Sequence, residues 1–391
     1  MRGVLMPAVS PRTYALATGT VAAGTSGYVV AAVLGGIAER FAVSIAVAGQ
    51  VITVFALAYA VGSPLLAVAT AGVERRALLV TALLVTAVGN AASAWAPDFG
   101  LLLAFRVVAA CGAASTTPAA TAVAASLHPS GTRARAMAVV TGGLTAATML
   151  GVPAGRAVAG QGGYQGAFLL VAALCVVAAV VIRVAVPAVP PGPAAGLRDR
   201  VRALGDPVVR WLLVVSLLAC LATFAVYGYL DPVLDDAAAP WLLLAYGVGG
   251  VVGNVVGGVA ADRFGPRTPL LVALAGSSAV LALLPTALAS PVGAVAAMAA
   301  WGALFWAFNP PLMALLVEVC PERAGVLLAL NASAIYFGIA GAGVLGAAVA
   351  SVASVSTVPL VGALLGVCAL LVAAGVPAPV RCVVGVVRRS T

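Results

Sequence analysis

Nearly every stretch of this chain is an apolar run long enough to cross a lipid bilayer, and that leaves few architectures open. A hydrocarbon core about 30 Å thick is crossed by a helix of about 20 residues rising about 1.5 Å per residue. Hydropathy places such runs at 14–37, 44–70, 77–95, 99–127, 135–160, 164–186, 208–230, 241–261, 268–289, 292–317, 324–351 and 357–379. These twelve spans and their short connections occupy the 391 residues, so no soluble catalytic domain fits beside them. The runs are continuously apolar, which excludes the alternating strands of about 10 residues that build a membrane β-barrel. At 8% charged residues, against about 25% in soluble domains, the chain has too few charges to coat a water-facing surface.

Those few charges set an orientation. All 20 basic residues are arginine, and in a twelve-span arrangement all but three fall on one side. Arg40 and Arg156 lie near the other side, and Arg106 lies inside a span. Arginine accumulates in short cytoplasmic loops, so both termini are expected in the cytoplasm. Asp98 and the acidic cluster Asp231, Asp235 and Asp236 then face the opposite compartment. The net charge of +9 is thus topological; nucleic-acid binding would need a basic face on a soluble module. Trp95, Trp211 and Trp241 near span ends read as interfacial anchors.

Chemistry-bearing clusters are absent from the sequence. Cys111, Cys175, Cys220, Cys320, Cys368 and Cys382 form no CxxC pair, and the sole histidine, His128, sits in a loop; neither a metal site nor a cofactor is expected. No carboxylates pair within a span, so no enzymatic activity is expected. A chain without lysine contains no Walker-type phosphate loop, which excludes direct drive by ATP. The expected partners are the bilayer and a small molecule, with the chain acting as a monomer.

The segment 187–207, rich in Pro and Gly and then basic, divides the spans six and six. It reads as a cytoplasmic linker between an N-terminal bundle over 1–186 and a C-terminal bundle over 208–391. A repeat supports the division. Gly258, Asp262, Arg263, Gly265 and Arg267 follow the eighth span, and A-T-A-G-V-E-R-R, ending in Arg75 and Arg76, follows the second. Parallel six-span repeats around a midplane site are a transporter architecture. The expected fold is an all-α integral membrane protein, twelve transmembrane helices in two six-helix bundles.

Four segments, in order, carry a resemblance. F-A-L-A-Y-A-V-G-S-P-L-L lies at Phe55 to Leu66 in the second span, and Arg106 precedes the small-residue stretch Ala109 to Ala114 in the fourth. T-M-L-G-V-P-A-G lies at Thr148 to Gly155 in the fifth, and G-V-A-A-D-R-F-G-P-R at Gly258 to Arg267 follows the eighth. With these the chain resembles the major facilitator superfamily, and within it the twelve-span drug:proton antiporter branch that includes chloramphenicol-resistance and sugar-efflux proteins. The resemblance implies an exporter in the inner membrane that works by alternating access, in exchange for protons. It implies a gating loop at Asp262, Arg263, Gly265 and Arg267, an antiporter motif at Gly151, Pro153 and Gly155, and a proton-relay role for Arg106. It implies that the small-residue faces Gly142, Gly151 and Gly155 and Gly249, Gly253 and Gly257 form the interface between halves. It also implies that spans one, four, seven and ten line the cavity, which there offers Thr25, Ser26, Tyr28, Ser115, Thr116, Thr223, Tyr227, Trp301, Phe305, Trp306 and Asn309.

Each feature has a plainer reading: tight helix packing for the glycines, a solvated topogenic loop for Asp262 and Arg263, and a structural arginine satisfied by carbonyls at position 106. The chain also departs from the branch. Where relatives carry an acid in the first span it reads Gly24-Thr25-Ser26-Gly27-Tyr28, and Ala71 and Gly72 replace the charged residues of the first-half loop. Asp231, in Y-L-D-P, is the acid nearest a cavity span, and with Arg106 it is the candidate for proton coupling. Two other readings stand beside the exporter: a sugar or metabolite facilitator without proton coupling, and a non-transporting assembly or receptor protein.

Overall fold

The computed structural model describes residues 10–191, 202–228, 230, 239–319, 324–353 and 357–376. Eleven helical stretches among them are long and apolar enough to cross a bilayer: Pro11–Ala32, Ile45–Ala69, Arg75–Ala94, Phe99–Ser126, Ala136–Ala185, Pro207–Tyr227, Trp241–Phe264, Arg267–Ala287, Pro291–Val319, Val326–Val349 and Val358–Gly375. The fifth runs for 50 residues, more than twice what a bilayer needs. Helical geometry fails inside it at Gly162 and Gly163, the latter at φ 61°, a left-handed conformation that glycine adopts without a steric penalty. A methyl group on Gly166 would touch Val158, so the chain has turned back on itself there. Divided at this turn, the stretch is two spans, and the total is the expected twelve, numbered 1 to 12 below.

Local chemistry fixes where helices begin. Asp98 accepts from Leu101 N at 2.8 Å, Asp206 from Val208 N at 2.8 Å and Ser290 from Gly293 N at 3.1 Å, each satisfying a backbone donor the helix cannot. Pro11, Pro207 and Pro291 occupy first-turn positions, where a missing N–H costs nothing.

Two spans are interrupted near mid-membrane. Span 10 stops at Ala307 and resumes as Asn309–Val319, because Pro310 and Pro311 offer no N–H to the carbonyls of Trp306 and Ala307. Span 5 carries a π-helical turn, Ala147–Gly151, just before Pro153. Non-helical backbone at this depth is tolerated where protein or a cavity surrounds it.

Span 1 packs on spans 4 and 5, and span 3 on spans 4 and 6; in the second half span 7 packs on 11 and 12, and span 10 on 8 and 9. Between the halves, span 2 meets span 11 and span 5 meets span 8. The small-residue faces do not make that junction. Methyl groups on Gly249, Gly253 and Gly257 would collide with the backbone of Ala299, Ala303 and Ala307, so this stripe beds span 8 on span 10 of its own bundle. Gly151 and Gly155 meet Thr25 and Val29 of span 1, again within one bundle, and nothing lies near Gly142. The cross-half glycines are others: Gly247 against Met149, Gly343 against Thr53, and Gly228 against Ile52.

Candidate functional site

Polar side chains sealed in an apolar bundle mark where chemistry is held, and Arg106 is the largest of them. Its side chain is fully buried in span 4. Nη1 donates to Asn90 Oδ1 at 3.1 Å and Nη2 to the Ser26 carbonyl at 2.6 Å. The guanidinium lies over the rings of Phe55 at 4.3 Å and Phe168 at 5.3 Å. Asn90 in turn donates to Ser26 Oγ at 2.9 Å and to the Thr86 carbonyl at 2.8 Å. Five spans of the N-terminal half thus converge on one cation held by neutral groups, the geometry of the plainer reading. Nε finds no partner. The described carboxylates, Glu39, Glu74, Asp98, Asp206, Asp262 and Glu318, all stand in loops or at helix ends. Asp231 lies outside the described residues.

The second feature is an aromatic seam at the meeting of the halves. Tyr59 of span 2 stacks on Tyr336 of span 11 with ring centroids 3.5 Å apart, and Tyr28 of span 1 on Phe224 of span 7 at 5.5 Å. Behind Phe224 the rings continue into the C-terminal half. Tyr227 and Trp301 each lie 4.9 Å from Tyr246, Phe305 lies 5.7 Å from Phe224, and Trp306 lies 5.5 Å from Phe305. Here the polar atoms go unanswered: Tyr227 OH, Tyr246 OH, Trp301 Nε1, Trp306 Nε1 and Asn309 Oδ1 are all buried without a hydrogen bond. The break in span 10 sits beside Trp306 and Asn309.

Of the expected cavity residues, Tyr28, Tyr227, Trp301, Phe305 and Trp306 therefore gather into one cluster, with Asn309 at the neighbouring helix break. Three others turn elsewhere. Thr25 donates to the Val21 carbonyl at 2.8 Å and packs on Gly151. Ser115 donates to the Cys111 carbonyl at 3.4 Å. Thr223 lines a small hole inside the C-terminal bundle with Ser277 and Ser278. Sequence reasoning missed Tyr59, Tyr246 and Tyr336 in the seam, and Asn90, Phe55 and Phe168 around Arg106. Tyr59 and Phe55 lie inside the second-span segment Phe55 to Leu66, so both were within reach; for the others, which neighbour they meet depends on helix rotation.

At the arginine-rich end the two related loops differ. Gly265 turns at φ 75°, Asp262 and Arg263 are exposed, and Arg263 lies over the Phe264 ring at 5.3 Å. Arg267 ties the loop down, donating from Nη2 to the Ala374 carbonyl at 2.8 Å. In the first-half loop Glu74 caps span 3, accepting from Arg76 N at 2.8 Å and Ala77 N at 3.0 Å, and also accepts from Val189 N of the linker at 2.9 Å. Arg75 N donates to the Val189 carbonyl at 2.9 Å and Arg76 Nη1 to the Val186 carbonyl at 3.2 Å. Partial burial works to raise the Glu74 carboxyl, but the three N–H donors and the Arg76 guanidinium outweigh it and hold it below its ordinary value. His128 stands in the loop as expected and is buried there: it accepts from Ser10 N at 3.3 Å and meets the Ala124 carbonyl at 2.9 Å, pinning the start of span 1 to the end of span 4.

Comparison with known proteins agrees with this architecture. The model of the Major Facilitator Superfamily matches residues 15–342 and 233–382. The inner membrane transport protein YdhP of Escherichia coli O157:H7 is 32% identical over 366 residues, covering 91% of this chain and 93% of its own. A chloramphenicol resistance protein of Streptomyces lividans is 32% identical over 324 residues, covering 80% and 81%. Among solved structures, a D-xylose-proton symporter superposes with a TM-score of 0.77 at 16% identity, covering 94% of this chain and 98% of that one, a likeness of fold alone.

Proposed function

We infer that this chain, which belongs to the major facilitator superfamily of transporters and is a multi-pass membrane protein, exports a small apolar or amphipathic compound by alternating access. The observation that carries the reading is the seam: rings contributed by both halves close on one another where spans 1 and 2 meet spans 7 and 11, and separation of the halves would open a ligand site there. Export as the direction rests on the similarity to the chloramphenicol resistance protein. Placement in the inner membrane with cytoplasmic termini rests on the bacterial relatives and on the arginine asymmetry.

Proton exchange is the finer part of the proposal. A proton-coupled exporter needs a group whose protonation alternates with substrate binding, and no described carboxylate stands within the membrane interior. Asp231 is the remaining candidate, with Arg106 as a fixed charge that biases it. The absence of an inner acid among the described residues favours one second reading, facilitated export without protons. Reconstituted vesicles separate the two. With coupling, an imposed pH gradient drives uptake by wild type and Asp231→Asn loses that dependence; indifference of the wild type to the gradient establishes facilitation. Accumulation of chloramphenicol and related amphipathic compounds in cells stripped of their own pumps tests export itself. Unchanged accumulation across the whole panel would refute it.

A further inference from the structure

We infer that His128 is a proton-operated tie: neutral, it fastens the start of span 1 to the end of span 4, and protonated, it lets go. The tie belongs to the frame of the N-terminal half and works the same way whatever the chain transports.

The hydrogen bonds fix the state of the ring. Nδ1 stands 2.9 Å from the Ala124 carbonyl, one turn back on span 4. A carbonyl can only accept, so Nδ1 carries the hydrogen. Nε2 stands 3.3 Å from Ser10 N, and a backbone N–H can only donate, so Nε2 is bare. The ring that fits is the neutral one, with its hydrogen on Nδ1. The Thr13 hydroxyl, buried on span 1, lies 3.4 Å from the same Nε2 and can donate to it as well.

A proton on Nε2 reverses this. The new N–H would face the Ser10 N–H, donor against donor, and the Ser10 backbone would lose its partner. The Thr13 hydroxyl could turn and accept, but one neutral oxygen does not offset a charge held in a buried position. Spans 1, 4 and 5 pack together here. Span 1 brings Arg12 and Tyr14, both exposed, and span 5 brings Arg133 and Arg135, whose side chains lie outside the described residues, as do Arg2 and the linker's Asp199. Wherever these stand, the donor at Ser10 still opposes the new N–H. The way out to water is short, since Pro129 already begins the connection to span 5.

Farther along, span 1 is held by Arg106 and Asn90 at Ser26, and by Thr20, whose hydroxyl donates to the Val140 carbonyl of span 5 at 2.5 Å. None of those groups changes charge near neutral pH, whereas a histidine does, between about pH 5 and 8. Acid on the arginine-rich side therefore loosens the first turn of span 1 while its deeper ties hold.

The chain has one histidine, so its imidazole can be read directly. The full chain, purified without a polyhistidine tag and labelled with 15N-histidine, is titrated in nanodiscs from about pH 8.5 to about pH 5. Nitrogen shifts report the tautomer and its protonation, and hydrogen–deuterium exchange, corrected for the intrinsic effect of pH, is followed over residues 10–16. At high pH the hydrogen should sit on Nδ1, and exchange should rise about fivefold as the ring titrates, the loss of one hydrogen bond. His128→Gln, whose side-chain oxygen can accept from Ser10 at any pH, should exchange slowly throughout, and His128→Ala fast throughout, with size-exclusion profiles confirming folding. A neutral ring with its hydrogen on Nε2, wild-type exchange indifferent to the titration, or a pH dependence that survives in the Gln variant would overturn the inference. Should both variants fail to fold, the wild-type titration decides alone.

Discussion

Around Arg106 in the N-terminal half buried polar atoms answer one another: Arg106 reaches Asn90 and the Ser26 carbonyl, and Asn90 reaches Ser26 and Thr86, with Arg106 Nε, Thr53 Oγ1 and Thr117 Oγ1 left unpaired in that half. In the C-terminal half Ser216 and Asn331 make one such pair, but Tyr227, Tyr246, Trp301 and Trp306 hold polar atoms that nothing meets. The arginine-rich end repeats the contrast, with Glu74 engaged by the linker and Asp262 exposed. A satisfied buried network rigidifies the helices that share it, while an unsatisfied one marks a place awaiting a partner. On the proposed reading, the network around Arg106 is chiefly framework, and the unpaired cluster of the second half is where a ligand would be met.

Breaking the framework should have the largest effect. Arg106→Ala leaves the Asn90 oxygen and the Ser26 carbonyl unpaired beside a cavity, and should cost about 3 kcal/mol or more and abolish transport. Lys should rescue only partly, lacking the planar fork that reaches both acceptors. Thermal unfolding in detergent, run beside vesicle uptake, measures both; a variant as stable and active as wild type would erase the contrast between halves.

The loops sharpen it next. Asp262→Asn should lower uptake about fivefold or more with expression intact, if this loop stabilises one state of the transport cycle. Unchanged uptake would reduce the loop to a topology signal. Glu74→Gln should leave the loop in place but cost about 1 kcal/mol, the worth of a helix cap. Because the folded carboxyl titrates below its ordinary value of 4.5, its stabilisation is complete above that pH and fades as pH falls through the lowered value. Stability of the wild type should therefore drop more steeply below that pH than stability of the Gln variant, and parallel pH curves would deny Glu74 its role. The smallest effect belongs to Tyr246→Phe: removing a hydroxyl that already lacks a partner should shift stability by less than about 0.5 kcal/mol, or raise it. A loss comparable to that of Arg106→Ala would show that this hydroxyl is engaged after all.

Much of this was legible in the sequence, for a physical reason. Hydrocarbon imposes span length and apolarity directly, so the twelve spans were readable, including the reversal that lies between residues 160 and 164. Contacts between spans were less readable, because hydropathy does not fix how a helix is rotated. The stripe Gly249, Gly253 and Gly257 signals close approach without naming the neighbour, which proved to be span 10 and not the other half. Thr25 and Thr223 were placed on cavity-lining spans, yet their hydroxyls turn into their own bundles. Asn90 gives no hydropathy signal among apolar neighbours, although a buried arginine at position 106 required some such acceptor. Pro310-Pro311 carried a signal for the break in span 10, since neither residue can donate to the preceding turn, but the hydropathy reading ran one span through it, 292–317.

Alternating access requires the halves to part along span 2 and span 11, and one cross-link tests that directly. A Cβ placed on Gly343 would stand 3.3 Å from Thr53 Cβ, close to the roughly 3.5 to 4.5 Å separation of a disulfide. With the native cysteines replaced, Thr53→Cys and Gly343→Cys together can be oxidised and reduced in reconstituted vesicles while uptake of labelled chloramphenicol is followed. The account predicts that oxidation stops uptake and that dithiothreitol restores it. Uptake that continues undiminished across the oxidised bond would contradict it.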